Sequence, residues 1–164
     1  MTNYNLRYVK NGSIILNPLY KISSTKRDFE WTAEQQAAFE KIKADLASSK
    51  GFFHRNPTLP IILVCDAAKY GCGGTLYQNN NGSMEVIGYS SRRFTNAEER
   101  RSMREKELLG LCYAVRAFEY FLLGTSFKVV TDHKSLTYLY KEHLNTKLDT
   151  KLVNVWYYLQ HHSF

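Results

Sequence analysis

Cysteine is scarce in this chain and follows no pairing pattern. Cys65, Cys72 and Cys112 form no Cys-x-x-Cys step and are odd in number, which argues against a disulfide framework or a zinc cluster and leaves them as small core residues. Long apolar runs are also missing: no stretch reaches the roughly 18 residues that a membrane-spanning helix requires. The amino end, Met1-Thr2-Asn3-Tyr4-Asn5, lacks the basic-then-apolar pattern of a secretory signal. Neither an internal repeat nor a low-complexity tract is present. These absences set the expectation of a soluble, intracellular, cytoplasmic protein with no membrane partner. Acidic residues are in deficit, 15 Asp and Glu against 22 Lys and Arg, for a formal charge of +7. That balance favours a polyanionic partner without identifying one.

What the chain does contain suits one compact domain with an appendage: 164 residues, 44% hydrophobic. A mixed segment from Tyr8 to Lys26 gives way to a helix start at Trp31-Thr32, where Thr32 and Gln35 have capping-box spacing. Phe39, Ile42, Lys43 and Leu46 recur at helical spacing, and Gly51 suits the turn beyond the helix. After Pro57 and Pro60 the period changes, and the continuous apolar run 61–65 predicts a central strand covered on both faces. Strands are expected at 71–78 and 84–89, joined by a hairpin turn at Asn81-Gly82. A helix from about Ser102 to Leu123, a fourth strand at 127–131 and helical stretches near 133–141 and 146–161 complete the pattern.

Three acids end or interrupt these apolar segments. Asp66 closes Ile61-Ile62-Leu63-Val64-Cys65, Asp132 follows Phe127-Lys128-Val129-Val130-Thr131, and Glu107 lies within the long helix. Glu105 has a sufficient structural role, since Ser102 and Glu105 form a second capping box. Glu107 has none. At about 100° per residue it shares a face with Gly110, Leu111, Ala114 and Phe118, opposite Glu105, Arg116 and Glu119. The small Gly110 and Ala114 would let that face approach the sheet closely, with the Glu107 carboxylate near the ends of strands one and four. Carboxylates on buried elements persist where a cation or a hydrogen-bond network compensates them. Singly, each acid also fits a plainer role: Asp66 and Asp132 as turn and helix caps, Glu107 reaching solvent from an early helical turn. Their joint occurrence in the order strand, strand, strand, helix, strand is that of an α/β ribonuclease H-like fold, a mixed sheet flanked by helices.

The chain resembles the ribonuclease H domain of reverse transcriptases from gypsy-like long-terminal-repeat retrotransposons almost end to end. Phe29-Glu30-Trp31-Thr32 with Gln36-Ala37-Ala38-Phe39-Glu40-Lys41-Ile42-Lys43 resembles the segment joining polymerase to nuclease, and Tyr8-Val9-Lys10-Asn11 with Asn17-Pro18-Leu19 resembles the end of the polymerase thumb or connection. Asp66-Ala67-Ala68 with Gly71 and Gly73-Gly74-Thr75-Leu76, Glu105-Lys106-Glu107-Leu108-Leu109, and Phe127 through Leu136 resemble the family's three acidic motifs. The resemblance implies a division into 1–58, the end of the thumb or connection with its linking helix, and 59–164, a nuclease domain lacking its last strand, last helix and fourth acidic ligand. It also implies an endonuclease that hydrolyses the RNA strand of RNA/DNA hybrids, leaving 5′-phosphates. Asp66, Glu107 and Asp132 would be both its catalytic residues and its metal ligands, holding two Mg²⁺ ions about 4 Å apart. Mn²⁺ is the alternative, and zinc is disfavoured by an all-oxygen ligand set. Neighbouring His133 is read as a helix-start or indirect partner. Asp149 is not assigned to the fourth position.

The implied partners are an RNA/DNA hybrid and the polymerase domain of a longer Pol polyprotein, inside a virus-like particle where the element is active. Arg92, Arg93, Arg100, Arg101 and Arg104 are candidate backbone contacts, with a solvated loop as the equal alternative. Tyr138, Tyr140, Trp156, Tyr157 and Tyr158 read as core and interface rather than a base-stacking platform. Polymerase palm aspartates are absent, so the chain cannot copy a template. The competing reading is a non-catalytic remnant that binds nucleic acid or docks a polymerase. A transposase or integrase of the same fold leaves the Trp31 to Phe39 segment without a place.

Overall fold

The computed structural model describes residues 6–24, 29–48, 51–132 and 158–159. The helices expected near 133–141 and 146–161 therefore lie outside the described residues, as do His133, Asp149, Tyr138, Tyr140, Trp156 and Tyr157. Tyr158 and Leu159 are helical, and Leu159 is buried in the main core.

Four strands form a mixed sheet: β1 (Ile61–Ala67), β2 (Gly71–Asn80), β3 (Ser83–Arg93) and β4 (Phe127–Val130), in the order β3-β2-β1-β4. The first three make an antiparallel meander, and β4 pairs parallel to β1 with Ile61 opposite Phe127 and Val64 opposite Val130. The expected hairpin turn is present, with Asn81 at φ 50° and Gly82 at φ 93°, the left-handed pair that a tight hairpin requires. The Gly82 N–H donates to the Asn79 side chain at 2.8 Å. β2 and β3 extend beyond the stretches legible from apolar pattern, because their outer ends are polar and held by ladder pairing from Asn80 opposite Ser83 to Gly71 opposite Arg93. Strand β1 seals one face, where Ile61, Leu63, Cys65 and Ala67 are buried, while Ile62 and Val64 on the other are only half-buried. The expectation of full cover on both faces is thus met on one.

Helices α1 (Gly12–Ile15), α2 (Asn17–Ser24) and α3 (Ala33–Ala47) precede the sheet, and α4 (Asn96–Glu99), α5 (Met103–Ala117) and α6 (Glu119–Leu122) separate β3 from β4. Helix α5 lies across β1 and β2 and, with the buried face of the sheet, encloses Leu63, Leu76, Leu108, Leu111, Val115 and Leu122. Its close approach depends on missing side chains. A Cβ at Gly110 would stand 3.1 Å from the Cys72 Cβ, and one at Gly74 would stand 2.7 Å from the Ala114 Cβ. Both capping boxes are formed: the Thr32 N–H donates to the Gln35 side chain at 2.7 Å and the Ser102 N–H to Glu105 at 2.9 Å.

The single helix expected over 102–123 is broken at Phe118, whose backbone leaves helical geometry at φ −111°, ψ 14°. Its buried ring lies against Gly88, where a Cβ would come within 3.0 Å, and this anchoring in the core coincides with the break between α5 and α6. On α3 the buried residues are Ala38 and Ile42, whereas Phe39 is 40% exposed. The apolar face is rotated from the expected one because α3 packs on a small second cluster, Val9, Leu16 and Ile42, built from the amino-terminal segment. Cys65, Cys72 and Cys112 are free and buried in the main core.

Candidate metal centre

Parallel pairing explains how acids far apart in sequence meet. Because β1 and β4 run the same way in register Val64 opposite Val130, Asp66 and Asp132 emerge level with each other at the same end of the sheet. Side-chain alternation sends Cys65 and Ala67 into the core and leaves Asp66 exposed, on the sheet face shared with its register partner Gly73. Glu107 arrives from the other side, in the second turn of α5, and is only 2% exposed. One carboxylate oxygen from each of Asp66, Glu107 and Asp132 lies within 4.8 Å of the others.

The electrostatics of this group are unfavourable without a counter-charge. Burial first, then the negative charges of Asp132 and Asp66, push the Glu107 carboxyl up to about 7, against a single backbone N–H donated by Ala67. The donors are all hard oxygens, and among the described residues no His or Cys joins them. Burial and the same acids push the neighbouring Cys65 thiol up to about 12, which keeps it protonated and outside the ligand set. Three clustered carboxylates of this kind fit a hard divalent cation. Glu105 serves elsewhere: it caps α5 through Ser102 and pairs with Arg101 at 3.1 Å.

The five arginines do not form one exposed patch. Arg92 makes a two-pronged pair with buried Glu98, at 2.8 and 3.1 Å, with its guanidinium over the rings of Phe94 and Tyr113. Arg93 stands 3.5 Å from Glu99, and Arg101 pairs with Glu105. Arg100 and Arg104 are exposed. Sequence reading passed over α4, although Thr95 and Glu98 have the capping-box spacing that locates it. Lys10 and Asn11, which the sequence places in the stretch resembling the thumb or connection and to which it gives no site role, line the cleft of about 360 Å³ beside Asp66 and Asp132. The Asn11-Gly12 step signals a turn, but no local signal shows that this turn docks beside an acid so distant in sequence.

A sheet of order 3-2-1-4, with acids at the ends of its parallel pair and on the crossing helix, defines a ribonuclease H-like domain. The family described as an RNase H-like domain found in reverse transcriptase matches residues 56–162, and the chain belongs to it. It is 34% identical over 138 residues to the retrovirus-related Pol polyprotein from transposon 412 of Drosophila melanogaster, covering 84% of this chain and 11% of that protein. With the transposon Tf2-3 polyprotein of Schizosaccharomyces pombe it shares 28% over 137 residues, 82% of this chain and 10% of that one. The chain thus spans about a tenth of the length of the curated relatives it matches.

Among solved structures, the foamy viral protease-reverse transcriptase dRH in complex with double-stranded DNA superposes with a TM-score of 0.72 at 26% identity, over 97% of this chain and 28% of that one. The foamy viral protease-reverse transcriptase in complex with RNA/DNA hybrid gives the same TM-score and identity, over 97% and 22%. Among the described residues no helix is long and apolar enough to cross a membrane.

Proposed function

We propose that this domain is the endonuclease of a retrotransposon reverse transcriptase and cuts the RNA strand of RNA/DNA hybrids. The observation that carries this reading is the convergence of Asp66, Glu107 and Asp132 within 4.8 Å. Asp66 and Asp132 would hold Mg²⁺ or Mn²⁺ from the exposed side, while Glu107, fixed by the Ala67 N–H, closes the site from beneath. Bound divalent cations supply a water made nucleophilic at neutral pH and stabilisation of the leaving 3′-oxygen. The buried wall under Glu107 keeps bulk water off that side, and its rigid attachment to α5 fixes one ligand in place. Residues 1–58 form the end of the polymerase connection in this reading and 59–164 the nuclease, both within a longer polyprotein.

The test is cleavage of an end-labelled RNA strand in an RNA/DNA hybrid with Mg²⁺ or Mn²⁺, comparing the chain with Asp66→Asn. Cutting by the former that drops at least a hundredfold in the latter, with tight Mn²⁺ binding lost by titration calorimetry, is the expected outcome. Absence of cutting by a chain that nevertheless binds the hybrid would replace the nuclease by the non-catalytic binding module.

A further inference from the structure

We propose that Lys10, set in place by Asn11, grips a backbone phosphate of the nucleic-acid strand that lies across the carboxylate cleft. This rests on the nuclease reading of the site and extends it to a segment outside the domain's own motifs. The cleft beside Asp66 and Asp132 is lined by Lys10 and Asn11 together with Gly73 and Thr75 of β2.

The segment is anchored rather than draped. Val9 is 2% exposed, the Ser13 N–H donates to the Ser91 hydroxyl at 3.1 Å, and the Ser13 hydroxyl donates to the Ser91 carbonyl at 3.1 Å. Asn11 takes the left-handed conformation, φ 55°, which asparagine tolerates better than most residues. Its side-chain oxygen rests over Gly73, where any Cβ would collide with it, and Gly73 is the register partner of Asp66. The glycine therefore admits the Asn11 side chain next to a metal-ligand candidate.

Lys10 sits between these two fixed residues, with its own side chain exposed. Among the described residues it has no ion-pair partner, although the cleft contains two carboxylates. A cation held at the rim of an anionic, metal-binding cleft has a direct use: it neutralises a phosphate adjoining the one at the metal. It draws the polyanion in where the carboxylates alone would repel it. Arg92, Arg93 and Arg101 are committed to carboxylates of their own, and among the residues that line this cleft Lys10 is the basic one.

The test is fluorescence anisotropy of a labelled RNA/DNA hybrid titrated with the full chain in Ca²⁺ at several KCl concentrations. Variants are Lys10→Gln, Gly73→Ala and, as a remote charge control, Lys43→Gln, whose lysine pairs with Glu40 on α3. Lys10→Gln is expected to weaken binding roughly three- to tenfold and make the slope of log affinity against log salt shallower by about one. Gly73→Ala, which displaces Asn11, is expected to weaken binding in the same direction, and Lys43→Gln to leave affinity unchanged. Equal affinity and slope for Lys10→Gln and the parent chain overturn the inference, as does a parent chain that fails to bind. Lys10-dependent binding without RNA cutting overturns the nuclease reading alone, and cutting that ignores Lys10 overturns this inference alone.

Discussion

Glu107 and Glu98 are both buried carboxylates, at 2% and 5% exposure, and their surroundings drive them in opposite directions. Glu107 lies among like charges and titrates near 7 when folded, against an ordinary 4.5. Between these values the folded state binds more protons than the unfolded one, so stability falls as pH rises through that window. In EDTA, thermal melts should show a loss on the order of 2 kcal/mol from pH 4.5 to 7. Glu107→Gln should flatten that slope, and a divalent cation should restore stability at pH 7 in the parent chain only. Glu98 is held down to about 2, chiefly by the Arg92 guanidinium, with Thr95 adding its N–H and hydroxyl. Its contribution is present above 4.5 and is lost as pH falls toward 2. Glu98→Gln should therefore cost about 2–3 kcal/mol at neutral pH in urea denaturation and blunt the acid limb of the pH profile. The roles of Glu105 and Glu107 were separable from sequence because a capping box is a local rule. The Arg92–Glu98 pair was not: capping-box spacing locates α4, but no local rule shows that this single turn folds back on the end of β3.

Elements meet here through small residues. Gly74 on β2 and Ala114 on α5 leave no room between strand and helix for one further methyl group, as the 2.7 Å approach indicates. Gly74→Ala should destabilise by about 1–3 kcal/mol and lift α5, so weakening cation binding through Glu107 beyond what the stability loss explains. Ala114→Gly, which by itself costs about 1 kcal/mol as a helix-interior glycine, should recover part of that loss in the double variant; strict additivity by urea denaturation would show that the two groups do not clash. The strand-strand-strand-helix-strand order, the hairpin and both capping boxes were legible because each is written in local period or spacing. The break at Phe118 and the rotated face of α3 were not. Both are set by the shape of a distant neighbour, Gly88 in one case and the Val9–Leu16 cluster in the other.

At the scale of the whole molecule, the described residues are built around two apolar clusters, a large one between α5 and the sheet and a small one joining the amino-terminal segment to α3. Leu16 is 3% exposed in the small cluster, and Leu16→Ala should cost about 2–4 kcal/mol locally. Hydrogen exchange should then accelerate in α1, α2 and α3 while β1 and β2 keep their protection; a uniform loss throughout would make the two clusters one cooperative unit. The order of the strands has a temporal consequence as well. Among the described residues β4 is the last strand in sequence, yet its neighbour is the first, and Asp66 and Asp132 become level only when that pair closes. During synthesis the meander can assemble while β4 is still inside the ribosome, and the loop spanning β2, β3 and α5 must be closed before the last acid arrives. A nascent chain is thus blind to the cation until β4 has paired with β1.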